Sequence, residues 1–211
     1  MRSLITGANR GIGAALRQEG ERRGHDILST HRGPAAKGWL TLDVTSEGDQ
    51  RSAAAQTGAI DLLICNAGVL RDKGKTFAET SAADWSETLA ANVTGTALTV
   101  QAQLANLSEG GRIAIISSMM GMQSRTPGNT MAYRASKAAV TNLGRNLAEM
   151  LRPEGIAVGI YHPGWVQTDM GGASADLTAE QSAQGLWDRF EALNMAATGA
   201  FQNYDGAALD L

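Results

Sequence analysis

"SLITGANRGIG", residues 3–13, decides the fold. Residues 3–6 form a short run that reads as a buried strand. Three glycines follow within seven positions, Gly7, Gly11 and Gly13, and residues 11–23 then carry helical spacing. A strand, a glycine loop and a helix in succession make a phosphate cradle. Gly7 permits the tight turn, Gly11 lets backbone approach a pyrophosphate, and Gly13 lets the helix lie close to the sheet. The helix N-terminus adds free N–H groups and the positive end of its dipole. A plain glycine-rich turn is the competing reading, so the rest of the chain has to decide.

Outward from that stretch the same alternation continues. Residues 26–30, 39–42, 61–65, 112–116 and 156–161 read as further buried strands, and 46–57, 81–107 and 132–152 as helices. Strands alternating with helices imply right-handed βαβ units and an α/β fold, a doubly wound parallel sheet covered on both faces. Residues 71–80, 119–130 and 171–180 read as loops, 177–195 as one more helix, and 199–206 as an edge strand with an Asp-Gly turn, for about seven strands. No repeat or linker interrupts the pattern, so residues 1–211 are expected to be one Rossmann-type domain. Ligands of such sheets bind beyond the carboxyl ends of the strands. The candidate site is therefore whatever follows Thr6, Thr30, Leu42, Cys65, Ile116 and Tyr161.

Composition narrows the partners. Hydrophobic residues are 43% and charged residues 18%, enough for a full core. A net charge of -3 gives no electrostatic reason to expect nucleic acid or an anionic membrane. The single cysteine, Cys65, excludes an intrachain disulfide, and His25, His31 and His162 fall in no metal-ligand spacing. The first apolar run is too short for a signal peptide and no later run is long enough to span a bilayer, so a cytoplasmic location is expected.

A second stretch, "TMAYRASKAAV" (130–140), opens a helix and sets Tyr133 and Lys137 one turn apart on one face. A phenol beside an ammonium suits proton transfer, but a Tyr–Lys surface pair is the competing reading. The unperturbed phenol pKa of about 10 is high for neutral pH, and a nearby cation favours the phenolate.

The spacing Gly-x-x-x-Gly-x-Gly, preceded by Thr6, resembles the short-chain dehydrogenase/reductase superfamily. The resemblance runs in family order over nearly the whole chain. It implies that Thr6, Gly7, Asn9, Arg10, Gly11, Ile12 and Gly13 hold a dinucleotide. "CNAG" (65–68) resembles the family's Asn-Asn-Ala-Gly, with Cys65 in place of the first Asn and Asn66, Ala67 and Gly68 kept. Asp43 and Val44 resemble the adenine contact. Pro163 and Gly164 resemble the Pro-Gly motif near the nicotinamide, with Val166 and Thr168 placed to meet its carboxamide. After the second strand stands His31, where an NAD-selective site has a carboxylate, with Arg32 beside it and Arg10 inside the glycine loop. Arginine matches phosphate bidentately, so NADP(H) is expected over NAD(H).

The resemblance also implies a catalytic tetrad of Asn92, Ser118, Tyr133 and Lys137. Tyr133 would transfer the proton, Ser118 hold the substrate oxygen, and Lys137 tune the phenol and hold ribose. Asn92 would hold a water linking the lysine to solvent. Ser117 and Ser118 point to opposite faces of a strand, so only one can serve, and the resemblance selects Ser118. Fifteen positions separate Ser118 from Tyr133, longer than the usual family loop. Within the superfamily, "YRASKAAV" and "HPGWVQTDMGG" look most like the small C-factor-type members. That leaves three readings: an oxidoreductase on a carbonyl/alcohol pair, a dinucleotide-binding signalling or regulatory protein, and a reductase for a pterin-like ring. Met119, Met120, Met122, Trp165 and Met170 are candidate walls of an apolar substrate pocket, or core or interface residues. By the same analogy, helices over 84–107 and 132–152 are expected to pair subunits into a homodimer or homotetramer.

Overall fold

The strand residues are apolar at consecutive rather than alternate positions, which fits strands covered on both faces. A computed structural model describes residues 1–33 and 38–210. In chain order the elements are β1 (Arg2–Ile5), α1 (Gly11–Arg22), β2 (Asp26–His31), β3 (Trp39–Thr41), α2 (Glu47–Thr57) and β4 (Ile60–Cys65). They continue as α3 (Ala82–Leu89), α4 (Gly95–Gln103), β5 (Leu107–Ile116), α5 (Met131–Leu151), β6 (Ala157–His162), α6 (Ala179–Ala192) and β7 (Phe201–Asn203). The strands form one seven-stranded sheet in the order β3-β2-β1-β4-β5-β6-β7, and each pairing is parallel. This is the doubly wound Rossmann-type arrangement expected. The strand order reverses between β1 and β4, which places a crevice beyond their carboxyl ends.

Alternate strand residues serve two cores. Ile5, Leu62, Ile64, Ala114, Ile116 and Tyr161 pack with Leu16 of α1 and Leu186, Trp187 and Phe190 of α6. Leu4, Leu63, Ile113, Ile115 and Val158 pack on the other face with Val100 of α4 and Val140, Ala148 and Leu151 of α5. The inner stripe of α5 includes Tyr133, Ser136, Lys137, Val140, Thr141 and Gly144. Tyr133 and Lys137 therefore belong to the buried face of a long, rigid helix.

Two element boundaries differ from expectation. The helix expected over 81–107 is broken: α3 runs into a π-helical turn, Ala90–Thr94, then α4, then a 3₁₀ turn at Leu104–Asn106. Residue 107 already belongs to β5, whose pairing with β4 shifts register between Ile60 and Leu62. Tertiary bonds hold the wide turn: Asn92 is buried at its centre and its side chain is bonded to Val69 and Ser136. At the other end of the chain, β7 spans only Phe201–Asn203. The Asp-Gly turn folds residues 207–209 back along it, with Asn203 N–H donating to Ala207 O at 2.8 Å and Leu209 N–H to Phe201 O at 2.9 Å. That return covers the free edge of the sheet.

Candidate functional site

The crevice holds a cleft of about 970 Å³, lined from the carboxyl end of β1 across to β6. At one end lies the glycine loop. Gly7 has φ +66°, and a Cβ on Gly13 would run into the Gly7 carbonyl and the Asn66 side chain. No side chain caps α1 at Arg10, so its first N–H groups face the cleft without a side-chain acceptor. That is the local geometry of an anion site. Thr6 lies beneath the loop rather than in the cleft. Its Oγ accepts from Asn66 N–H and Ala67 N–H, each at 3.0 Å, while Asn66 Nδ2 donates to Thr6 O at 2.9 Å and to Gly7 O at 3.2 Å. The two motifs after β1 and β4 are thus tied to each other.

Gly7, Asn9, Arg10, Gly11, Ile12, Gly13, His31, Arg32, Asp43, Val44, Asn66, Ala67 and Gly68 all line the cleft, as do Pro163 and Thr168. At the far mouth, burial works to raise the Asp43 carboxyl, but the Thr45 hydroxyl and N–H and the Arg32 charge hold it below its ordinary value. His31 accepts from Gly33 N–H through Nδ1 at 3.2 Å and meets the Trp39 ring edge-on. Arg10 is exposed and sits 3.4 Å from Asp169.

Besides Thr6, two further expected cofactor contacts lie outside the lining. Gly164 has φ +85°, and a Cβ there would strike Leu177, so packing fixes this position. Val166 is buried and pairs in a short bridge with Leu177. This bridge shapes the segment that carries Thr168, Asp169 and Met170 over the cleft. Lys73 straps the same segment from the opposite side, donating to Met170 O at 2.8 Å.

At the other end Tyr133 and Lys137 form part of the cleft wall. Lys137 Nζ lies 5.6 Å from the centre of the Tyr133 ring and donates to Ile116 O at 2.8 Å. Burial pushes the Tyr133 phenol up to about 12, with the Ser118 hydroxyl pulling the other way. Burial also brings the Lys137 ammonium down to about 8. In the protein alone, burial thus outweighs the pull of the Ser118 hydroxyl on the phenol.

The two serines separate as strand alternation requires. Ser117 Oγ is 3.1 Å from Lys137 O and 2.6 Å from Thr141 Oγ, so it faces the body of α5. Ser118 is beside the phenol, and its Oγ accepts from Met120 N–H at 3.1 Å. The turn after Ser118 can lie on α5 because Gly121 has no side chain: a Cβ would sit 2.5 Å from Ala138 N.

Asn92 sits behind this wall. Its Oδ1 accepts from Val69 N–H at 2.7 Å, and its Nδ2 donates to Val69 O and to Ser136 Oγ, each at 2.9 Å. Both donor hydrogens are spent on protein groups, so the side chain is a clamp between the segment after β4 and α5.

His162 stays neutral: burial, then the Arg125 and Lys137 charges, lower the imidazole to about 4 against Asp205. Burial pushes the Cys65 thiol up to about 12, which leaves it an inert core side chain. Of the apolar candidates, Met170 lines the cleft and Trp165 is half exposed nearby in sequence, donating from its indole to Gly171 O. Among the described residues no cluster of His, Cys, Asp and Glu can hold a metal, and no helix is long and apolar enough to cross a membrane. Sequence reading missed Arg71, Lys73, Glu87, Ala90, Ala91 and Asp169 as lining residues. The first two follow β4, where the strand-end rule pointed; Glu87 arrives on α3, Ala90 and Ala91 through the π turn, and Asp169 on the segment that Lys73 straps.

A glycine cradle at a strand-order reversal, with a buried Tyr–Lys pair at its far end, defines a dinucleotide-binding α/β protein of the Rossmann type. The short chain dehydrogenase family model matches residues 2–178, and the chain belongs to that family. C-signal of Myxococcus xanthus is 39% identical over 153 residues, which is 71% of this chain and 92% of that protein. The NADPH-bound carbonyl reductase from chicken fatty liver superposes with a TM-score of 0.91 at 30% identity, covering 100% of this chain and 98% of that one. A short chain dehydrogenase from Burkholderia cenocepacia in complex with NADP superposes at 0.85 with 28% identity, covering 98% and 96%.

Proposed function

We propose that the protein is an NADP(H)-dependent oxidoreductase acting on a carbonyl/alcohol pair. The observation that carries this reading is the buried Tyr133–Lys137 pair in the wall of the cleft whose other end is the glycine cradle. When bound, a nicotinamide dinucleotide supplies or accepts the hydride. The uncapped start of α1 and the bare backbone at Gly7, Gly11 and Gly13 suit its pyrophosphate. Arg10 and Arg32 suit a 2′-phosphate, with no carboxylate at position 31 to repel it. Ser118 orients the substrate oxygen against Tyr133, which gives it a proton in the reductive direction and takes one in the other. Lys137 presents a cation one helical turn from the phenol and favours its ionised form. The neighbours with NADPH or NADP bound support the cofactor choice. Pairing of subunits through α3–α4 and α5, and a cytoplasmic location, belong to the same reading.

The likeness to C-signal favours one alternative, a signalling protein that keeps a dinucleotide site with little turnover. One experiment separates the two. The purified protein is titrated with NADPH and with NADH, and the same sample is assayed for NADPH consumption over a panel of ketones and aldehydes. Selective NADPH binding with turnover is the expected result. Selective binding without turnover favours signalling, and no binding of either cofactor rejects both readings.

A further inference from the structure

The entry to α5 raises a question of its own. Thr130 precedes the helix with φ +46°, a left-handed conformation that a β-branched residue rarely takes, and it makes no side-chain cap. The first turn of α5 contains no acidic residue. A helix that starts this way leaves its first N–H groups and its positive dipole end unanswered. The answer comes from elsewhere in the chain. Asp72, 1% exposed, accepts from Ala132 N–H through Oδ2 at 2.8 Å. Its other oxygen is buried with no partner among the described residues. A buried carboxylate with one idle oxygen is a costly way to cap a helix, since a serine or aspartate at position 130 could cap it locally.

The location explains the expense. Ala132 is the residue before Tyr133, and Asp72 ends a segment that begins at Asn66 in the cleft. Thr6 holds that segment at Asn66 and Ala67, Asn92 holds it at Val69, and Asp72 holds it against α5. We infer that Asp72 is a positioning residue: the 66–72 segment is a brace whose carboxylate end fixes the first turn of α5, and so Tyr133, relative to the dinucleotide cradle. From the other side, Arg134 steadies the same entry by donating to Asn129 O, Arg125 O and Met120 O. The inference rests on the oxidoreductase reading for its effect on rate, but not for its effect on the tyrosine.

The test compares Asp72→Ala, Asp72→Ser and Asp72→Asn in the full chain. Measured are kcat and KM on a carbonyl substrate from the panel, the NADPH dissociation constant, and the ¹³C-tyrosine NMR spectrum. The chain has three tyrosines, Tyr133, Tyr161 and Tyr204, and Tyr133→Phe assigns the first. In Asp72→Ala, kcat is expected to fall about 10- to 100-fold with NADPH affinity unchanged. The Tyr133 signal moves while the other two stay. Asp72→Asn restores most of the rate and the Tyr133 signal, because an amide oxygen can still accept from Ala132 N–H. If Asp72→Ala does not fold, Asp72→Ser, whose oxygen falls short of that amide, takes its place. An unchanged kcat and an unmoved Tyr133 signal would overturn the inference. So would a general loss in which all three tyrosines move and NADPH affinity falls together with kcat, since that is a merely structural role. A wild-type protein without turnover, but with the selective Tyr133 response, would reject the oxidoreductase reading and leave the positioning role standing.

Discussion

Burial sets the terms for the two residues on which the proposed reaction depends. Tyr133 and Lys137 are 8% and 5% exposed, and burial moves the phenol to about 12 and the ammonium to about 8. Each shift favours the neutral form. Lys137 nonetheless keeps its proton below about pH 8, held by the Ile116 carbonyl. Replacing Tyr133 with Phe removes the proton donor and little else, because the ring still fills its place in the wall. Turnover is expected to fall by about 10²–10⁴-fold with NADPH binding kept, as read by steady-state kinetics beside a fluorescence titration. Full activity in that variant would reject the assignment. Arg32 offers a second test at this scale. It is exposed at the cleft mouth, so its value lies in what it meets there. Arg32→Asp replaces a charge-assisted bond by repulsion and is expected to weaken NADPH by about 10- to 100-fold while NADH changes little. Equal loss for both cofactors would refute a 2′-phosphate role.

Between residue and fold, legibility was uneven, and the reasons are physical. The strands and the glycine loop were readable because local rules set them: consecutive apolar residues for a doubly covered sheet, and a backbone only glycine tolerates at Gly7. The Tyr133–Lys137 pair was readable because a helix fixes its own spacing. The π turn at Ala90–Thr94 was not, because nothing in "AANVT" breaks helical periodicity. It is held by bonds between residues far apart in sequence, Asn92 with Val69 and Ser136. Thr96 and Thr99 add hydroxyl bonds back to the carbonyls of Asn92 and Gly95. Asp72 was illegible for the same reason, since its partner is sixty residues away. The clamp predicts the outcome of a substitution. Asn92→Ala strands the Val69 N–H and C=O in a half-buried place, at about 2 kcal/mol, or a melting temperature lower by about 4–8 °C. Because Gly68 and Val69 line the cleft, NADPH affinity should fall with it. A variant with wild-type melting and wild-type NADPH affinity would show that Asn92 holds neither the turn nor the cleft.

The whole molecule depends on elements beyond the family match, which ends at residue 178. Helix α6 closes one face of the sheet: Trp187 and Phe190 are buried, and the Trp187 indole donates to Leu16 O of α1 at 2.8 Å. A charge network joins the same two helices. Glu19, 7% exposed, accepts from Arg22 and Arg23 at 2.7 Å, and Arg23 reaches Asp188 and Glu191 of α6 at 2.8 Å. The Arg22 bond above all, against burial and aided by Arg23, holds the Glu19 carboxyl at about 2. Between the ordinary 4.5 and that value the native state binds fewer protons at this site than the unfolded chain. The stabilisation is therefore full above about pH 4.5 and is lost as pH falls toward about 2. Glu19→Gln keeps the shape and removes the charge, for a loss of about 2 kcal/mol at neutral pH. Melting curves of both proteins across the acid range test this directly. The two melting temperatures should differ by about 4–8 °C at pH 7 and converge on acidification. A gap that stays constant down to the lowest pH at which both proteins fold would mean that the network between α1 and α6 acts through packing of the arginine stems rather than through charge.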